Sequence, residues 1–193
     1  MENYEIDGYQ ITIMYDAESE SPREWDNLGT MVCKCRSYDL GDKEASKRIP
    51  WDNFTSMAQV KKYLCKKHDV AIILPIYMYS HSGITINTKP YSCQLDSGQI
   101  GFIFIEKDKI KTEYSVDQIS AELLDQVTSI LNNEVQTYAS YLEGTVYGYI
   151  IKDSKGHEVD RGWGVYGYDQ VKKECSDIVK ALPHNNAEDF ILS

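Results

Sequence analysis

The chain has 193 residues, 42% hydrophobic and 26% charged, and its 30 acids against 20 Lys and Arg give a net charge of −10. A chain of this size supports one good core, with two small domains as the alternative, and no apolar run approaches the ~20 residues of a membrane-spanning helix. The acidic start Met1-Glu2-Asn3-Tyr4-Glu5 lacks the basic and then apolar pattern of a secretory signal.

A first strand is predicted over residues 9–15, where Ile11, Ile13 and Tyr15 alternate with Gln10, Thr12 and Met14. The segment that follows, to about residue 30, fits neither helical nor strand periodicity and is rich in Trp, Asp, Asn and Arg, the composition of a surface loop or a built site. Thr30 to Cys35 form a short strand before a polar loop with Leu40-Gly41-Asp42. Thr55 or Ser56 caps a helix over 57–67, with Met57, Val60, Tyr63 and Leu64 on one face and Lys61, Lys62, Lys66 and Lys67 toward water.

Val70 to Met78 reads as a central strand in which Pro75, lacking an N–H, marks a bulge, an edge or a strand end. Ile84–Asn87 and Ile100–Glu106 add two more strands. Ser115 is expected to open the longest helix, because Val116, Ile119, Leu123, Val127, Ile130, Leu131, Val135, Tyr138 and Leu142 recur at three- and four-residue steps before Gly144 stops it. Residues 145–152 and 159–168 form a hairpin around Asp153-Ser154-Lys155-Gly156, and a short helix follows over 170–182. The pattern implies an α+β fold: one domain over 1–193, a mostly antiparallel sheet, and one long and two shorter helices. The acidic segment 1–8 and the polar tail 183–193 are expected to be flexible.

Fifteen Tyr against four Phe and three Trp suit strand faces and interfaces, where one end of the ring is apolar and the other wet. Five cysteines at irregular spacing read as reduced thiols and point to the cytoplasm. Charge is uneven. Residues 1–26 hold eight acids and one base, residues 112–151 six acids and no base, and residues 32–72 nine bases against five acids. This argues against ordinary nucleic-acid binding and is compatible with steering toward a basic protein surface.

Three constellations carry chemistry-bearing residue types. Asp16, Asp26, Asn27, Asp39 and Asp42 supply the loop oxygens that Ca²⁺ or Mg²⁺ takes, though in no recognisable ligand spacing. His81 with Ser80, Ser82, Cys93 and Asp96 has the residue types of nucleophilic catalysis without a nucleophile elbow. Cys33-x-Cys35 is a single knuckle with one intervening residue, and two Cys at i and i+2 share a strand face without any zinc. No residue is assigned a catalytic role.

Ser21-Pro22-Arg23-Glu24-Trp25-Asp26-Asn27-Leu28-Gly29-Thr30-Met31, with Leu40-Gly41-Asp42, Ser80-His81-Ser82-Gly83-Ile84-Thr85 and Asp96-Ser97-Gly98-Gln99-Ile100-Gly101, resembles a family of small proteins of bacteriophages, prophages and other mobile elements. The likeness spans most of residues 10–150. It implies an accessory protein made in the cytoplasm of an infected bacterium. By analogy with other such proteins it implies an inhibitor of host defence, of anti-CRISPR or anti-restriction type. Binding rather than catalysis is the preferred reading. The partner is then a host defence nuclease or its ribonucleoprotein complex, met through Glu122, Asp125, Glu134 and Trp25, with no direct nucleic-acid or membrane partner and with homodimerisation open. The alternative is a Ca²⁺- or Mg²⁺-dependent hydrolase or metal-stabilised module centred on Asp26, Asn27, Asp42 and His81.

Overall fold

A computed structural model describes residues 1–93 and 95–182; the predicted tail 183–193 lies outside them. The elements in chain order are β1 (Glu2–Ile6), β2 (Tyr9–Tyr15), β3 (Thr30–Cys33), α1 (Lys43–Lys47), α2 (Met57–Lys67), β4 (Val70–Ser80), β5 (Ile84–Asn87), β6 (Ser97–Glu106), α3 (Lys107–Tyr114), α4 (Ala121–Leu142), β7 (Val146–Lys152), β8 (Glu158–Tyr166) and α5 (Tyr168–Ala181). Short 3-10 turns occupy Pro22–Glu24 and Trp51–Asn53. The fold is α+β, with two four-stranded antiparallel sheets ordered β1-β2-β7-β8 and β3-β6-β4-β5. The chain divides into two compact units: Ser21–Ala139, and Met1–Glu20 together with the chain from Ser140 onward.

In the smaller unit, the segment expected to be flexible at 1–8 forms a strand. Asp7 (φ 48°) and Gly8 (φ 78°) turn β1 back onto β2, and an Asp-Gly pair with both φ positive is what a tight two-residue hairpin needs. Ile11 sits opposite Ile151 and Ile13 opposite Tyr149, so the inward residues of β2 and β7 share one face. Val171, Cys175 and Val179, at four-residue steps on α5, complete the core on that face. Asp153 accepts from the N–H groups of Lys155 and His157 at 2.9 and 2.8 Å and fixes the β7–β8 turn.

The larger unit is three-layered. Along β6, Phe102 and Phe104 point into a cluster with Val60 and Leu64 of α2 and Ile49 just after α1. The intervening Ile103 faces the other way, where its side chain and Leu131 of α4 close over Gly29. Both faces of β6 are therefore covered, which explains the unbroken apolar run in the sequence. Gly101 has its own constraint, since a Cβ there would lie 2.0 Å from the Val32 carbonyl oxygen of β3. Pro75 pairs opposite Phe102 of β6, while β5 pairs only with Tyr77–Ser80, so the proline sits where β4 has a strand on one side alone.

The helix predicted to start at Ser115 starts later, at Ala121. Residues 107–114 form α3, and Ser115 terminates it in the left-handed conformation (φ 51°), with Val116 N–H donating to the Lys111 carbonyl. Val116 and Ile119 continue the apolar spacing, but they belong to the connection. The long helix begins after Ser120, whose Oγ accepts from Leu123 N–H at 3.2 Å. It ends as foreseen at Gly144 (φ 69°), where Thr145 N–H donates to the Ser140 carbonyl at 2.8 Å.

Candidate functional site

The irregular block after Glu20 is organised by one guanidinium. Ser21 Oγ accepts from Arg23 N–H at 3.3 Å and opens a single 3-10 turn, with Pro22 fixing its first φ. That turn aims Arg23 inward, leaving 4% of its side chain exposed. Arg23 Nε and Nη2 donate to Asp42 Oδ1 and Oδ2 at 2.8 and 3.0 Å, the bidentate fork that only Arg provides. Nη1 donates to Glu134 Oε2 of α4 at 3.0 Å, and Nη2 also donates to the Gly29 carbonyl at 2.8 Å.

The carboxylates have further partners. Glu134 Oε1 accepts from Leu28 N–H at 2.7 Å and Gly29 N–H at 3.1 Å, and Asp42 Oδ2 accepts from Met31 N–H at 2.8 Å. Asn27 Nδ2 donates to the carbonyls of Pro22 and Trp25 at 2.8 and 2.9 Å, which closes the loop on itself. Burial opposes the charge on Arg23, but the hydrogen bonds and charges of Asp42 and Glu134 outweigh it and hold the pKa above its ordinary value. Asp42, Arg23 and Glu134 thus join the loop before α1, the 3-10 turn and α4 into one clamp whose backbone and side-chain polar groups satisfy one another.

This geometry assigns places to the residues singled out from the sequence. Asp42 and Glu134 are turned inward by Arg23, and Asn27 is a loop staple. Trp25 and Asp26 stand at the outer tip of the clamped loop, with 47% of Trp25 exposed. Asp26 lines a small cleft of about 210 Å³ with Glu113 and Ile130, and across it Lys109 Nζ donates to the Asn27 carbonyl at 2.6 Å. Glu122, Gln126, Ile130 and Glu134 follow one another at four-residue steps along α4, so one stripe leads from the clamp, past the Asp26 cleft, to the acidic start of the helix. Glu122 and Asp125 are exposed there.

Among the described residues no group of three or more His, Cys, Asp or Glu side chains is arranged to hold a metal ion. His81, Asp96 and Cys93 do come together: Asp96 Oδ2 lies 3.5 Å from both His81 Nδ1 and Cys93 Sγ. The carboxylate stands between thiol and imidazole, whereas activation of a thiol places the imidazole between thiol and carboxylate. Cys33 is buried in β3, and burial pushes its thiol up to about 12. Arg23 as the hub is the functional residue that reading by motif and spacing misses. The only available signal was one base among eight acids in residues 1–26. No helix of the described residues is long and apolar enough to cross a membrane. Comparison with known proteins gives no match to a family model, to a curated protein or to a solved structure.

Proposed function

We propose that the chain is an accessory protein of a phage or other mobile element that inhibits a host nucleic-acid-directed defence nuclease by binding it. The contact is assigned to the face that carries Trp25, Asp26, Glu113, Glu122 and Asp125. The observation that supports this reading is the clamp. It holds an exposed indole and a neighbouring carboxylate on a loop whose backbone is tied at both ends, so little conformational freedom is left to lose on binding. Trp is the residue type most often found to dominate an interface, and a surrounding acidic field suits a basic groove of the kind that holds nucleic acid. Glu134 supports the face from beneath rather than touching a partner.

The test is an affinity pull-down of the tagged full chain from a lysate of a CRISPR- and restriction-bearing host, at low and moderate salt. A nuclease recovered in stoichiometric amount and lost as salt rises is the expected result. Trp25→Ala is expected to weaken its capture by about 2 kcal/mol or more, and Glu122→Lys with Asp125→Lys to slow association mainly at low salt. Capture that is indifferent to all three substitutions, or no nuclease at either salt, overturns the reading.

A further inference from the structure

Most of the surplus bases in the middle of the chain lie on two helices, α1 and α2. α1 and α2 cover the same face of the larger unit's sheet, since Ala45, Ile49, Val60 and Leu64 pack into one cluster with Phe102 and Phe104. Between Lys34 and Lys67 there are nine Lys or Arg and only four acids, Asp39, Asp42, Glu44 and Asp52. Three of those acids are engaged: Asp42 with Arg23, Glu44 with Lys47 at 2.7 Å, and Asp52 with Lys34 at 2.7 Å. Lys61, Lys62, Lys66 and Lys67 all project from the solvent side of α2, a helix with no acid of its own, and none of them forms an ion pair among the described residues. Lys43 is likewise exposed.

A cleft of about 440 Å³ adjoins α1. It is lined by Lys43, by Lys34 and Lys47 (the partners of Asp52 and Glu44), by Asp39, and by the rings of Tyr38, 42% exposed, and Trp51. Cations that track a phosphate backbone, beside rings on which a base can stack, are the two components of a single-strand binding surface. A bilayer is the poorer fit, because α2 buries Val60 and Leu64 and so keeps no apolar stripe for insertion.

We propose that the α1–α2 face binds single-stranded nucleic acid, with phosphates on Lys61, Lys62, Lys66 and Lys67 and a base received beside Tyr38. The net charge of −10 conceals this site because the compensating acids lie elsewhere in the chain: the first 26 residues and residues 112–151 hold fourteen of them. The site is separate from the Trp25 face and does not depend on the inhibitor reading.

The experiment is fluorescence anisotropy of the full chain with labelled single-stranded RNA and DNA of about 20 nucleotides and mixed sequence, between about 50 and 200 mM salt. The expected result is binding whose log K falls with log salt with a slope of about −3, as four phosphate contacts on a single strand give. Replacing the four α2 lysines by Gln is expected to remove most of that slope and weaken binding about tenfold or more. Tyr38→Ala is expected to weaken it about fivefold or more through lost stacking, and Lys107→Gln with Lys111→Gln on α3 to leave it unchanged. No binding at the lowest salt, or unchanged binding by the four-lysine variant, overturns the site. Equal affinity for a duplex with a silent Tyr38→Ala overturns the single-strand assignment, and capture of phosphatidylserine vesicles but not of either oligonucleotide assigns the face to membranes instead.

Discussion

Arg23 is a case in which a single side chain decides whether two others can stay where they are. Its removal strands Asp42 and Glu134, whose side chains are only 24% and 12% exposed, without a counter-charge. Breaking such a pair from one side costs more than the pair ever contributes, because the remaining charges stay out of water. Arg23→Met is therefore expected to destabilise the chain by about 3–5 kcal/mol in urea denaturation. Arg23→Lys keeps the charge but loses the two-pronged contact with Asp42, so it is expected to recover only part of that loss. A neutral outcome for Arg23→Met would show that the clamp does not hold the loop.

At the scale of elements, the two serines near the start of α4 give opposite expectations. Ser120→Ala removes the acceptor for Leu123 N–H and is expected to cost about 1 kcal/mol. Ser115→Gly relieves a left-handed residue at φ 51° and is expected to stabilise by a few tenths to about 1 kcal/mol. Thermal melts of the two variants separate a helix that starts at Ala121 from one that starts at Ser115. The apolar spacing alone could not, because Val116 and Ile119 keep a three- and four-residue rhythm while the backbone between them leaves the helix. Local signals elsewhere were legible. The limits of α2 and β5, the Ser56 cap and the Asp153 turn follow from periodicity and side-chain capping that act within a few residues. What sequence could not supply were the long-range partners, such as Glu134 for Arg23, 111 residues away, and β7 for β2. The hairpin of β1 was readable from Asp7-Gly8, but its acidic composition pointed to solvent instead.

For the molecule as a whole, buried acids of high pKa set the alkaline limit of stability. Burial raises the Cys33 and Cys175 thiols to about 12 and about 11, against about 8.5 in an unfolded chain. Above that unfolded value the denatured chain sheds protons that the native one keeps, so stability that is complete below pH of about 8.5 is lost as pH rises toward the native values. The melting temperature is expected to fall steadily between about pH 9 and 11, and a Cys33→Ala, Cys175→Ala variant to show a shallower slope than the parent. At pH 8 alkylation is expected to begin at exposed Cys65 and to spare those two. The sheet β1-β2-β7-β8 draws its strands from both sides of a 119-residue insertion, Ser21–Ala139. On a ribosome, β2 emerges with Ile11 and Ile13 ready to pair and then waits on the order of ten seconds for β7. By the time β7 emerges, all four strands of the intervening unit have been made, so that unit can close by itself. Until β7 arrives the first hairpin is an open edge with apolar residues, and Glu2 and Glu5 within β1 and Asp7 at its turn place on it the kind of charge that discourages pairing between strands of neighbouring chains.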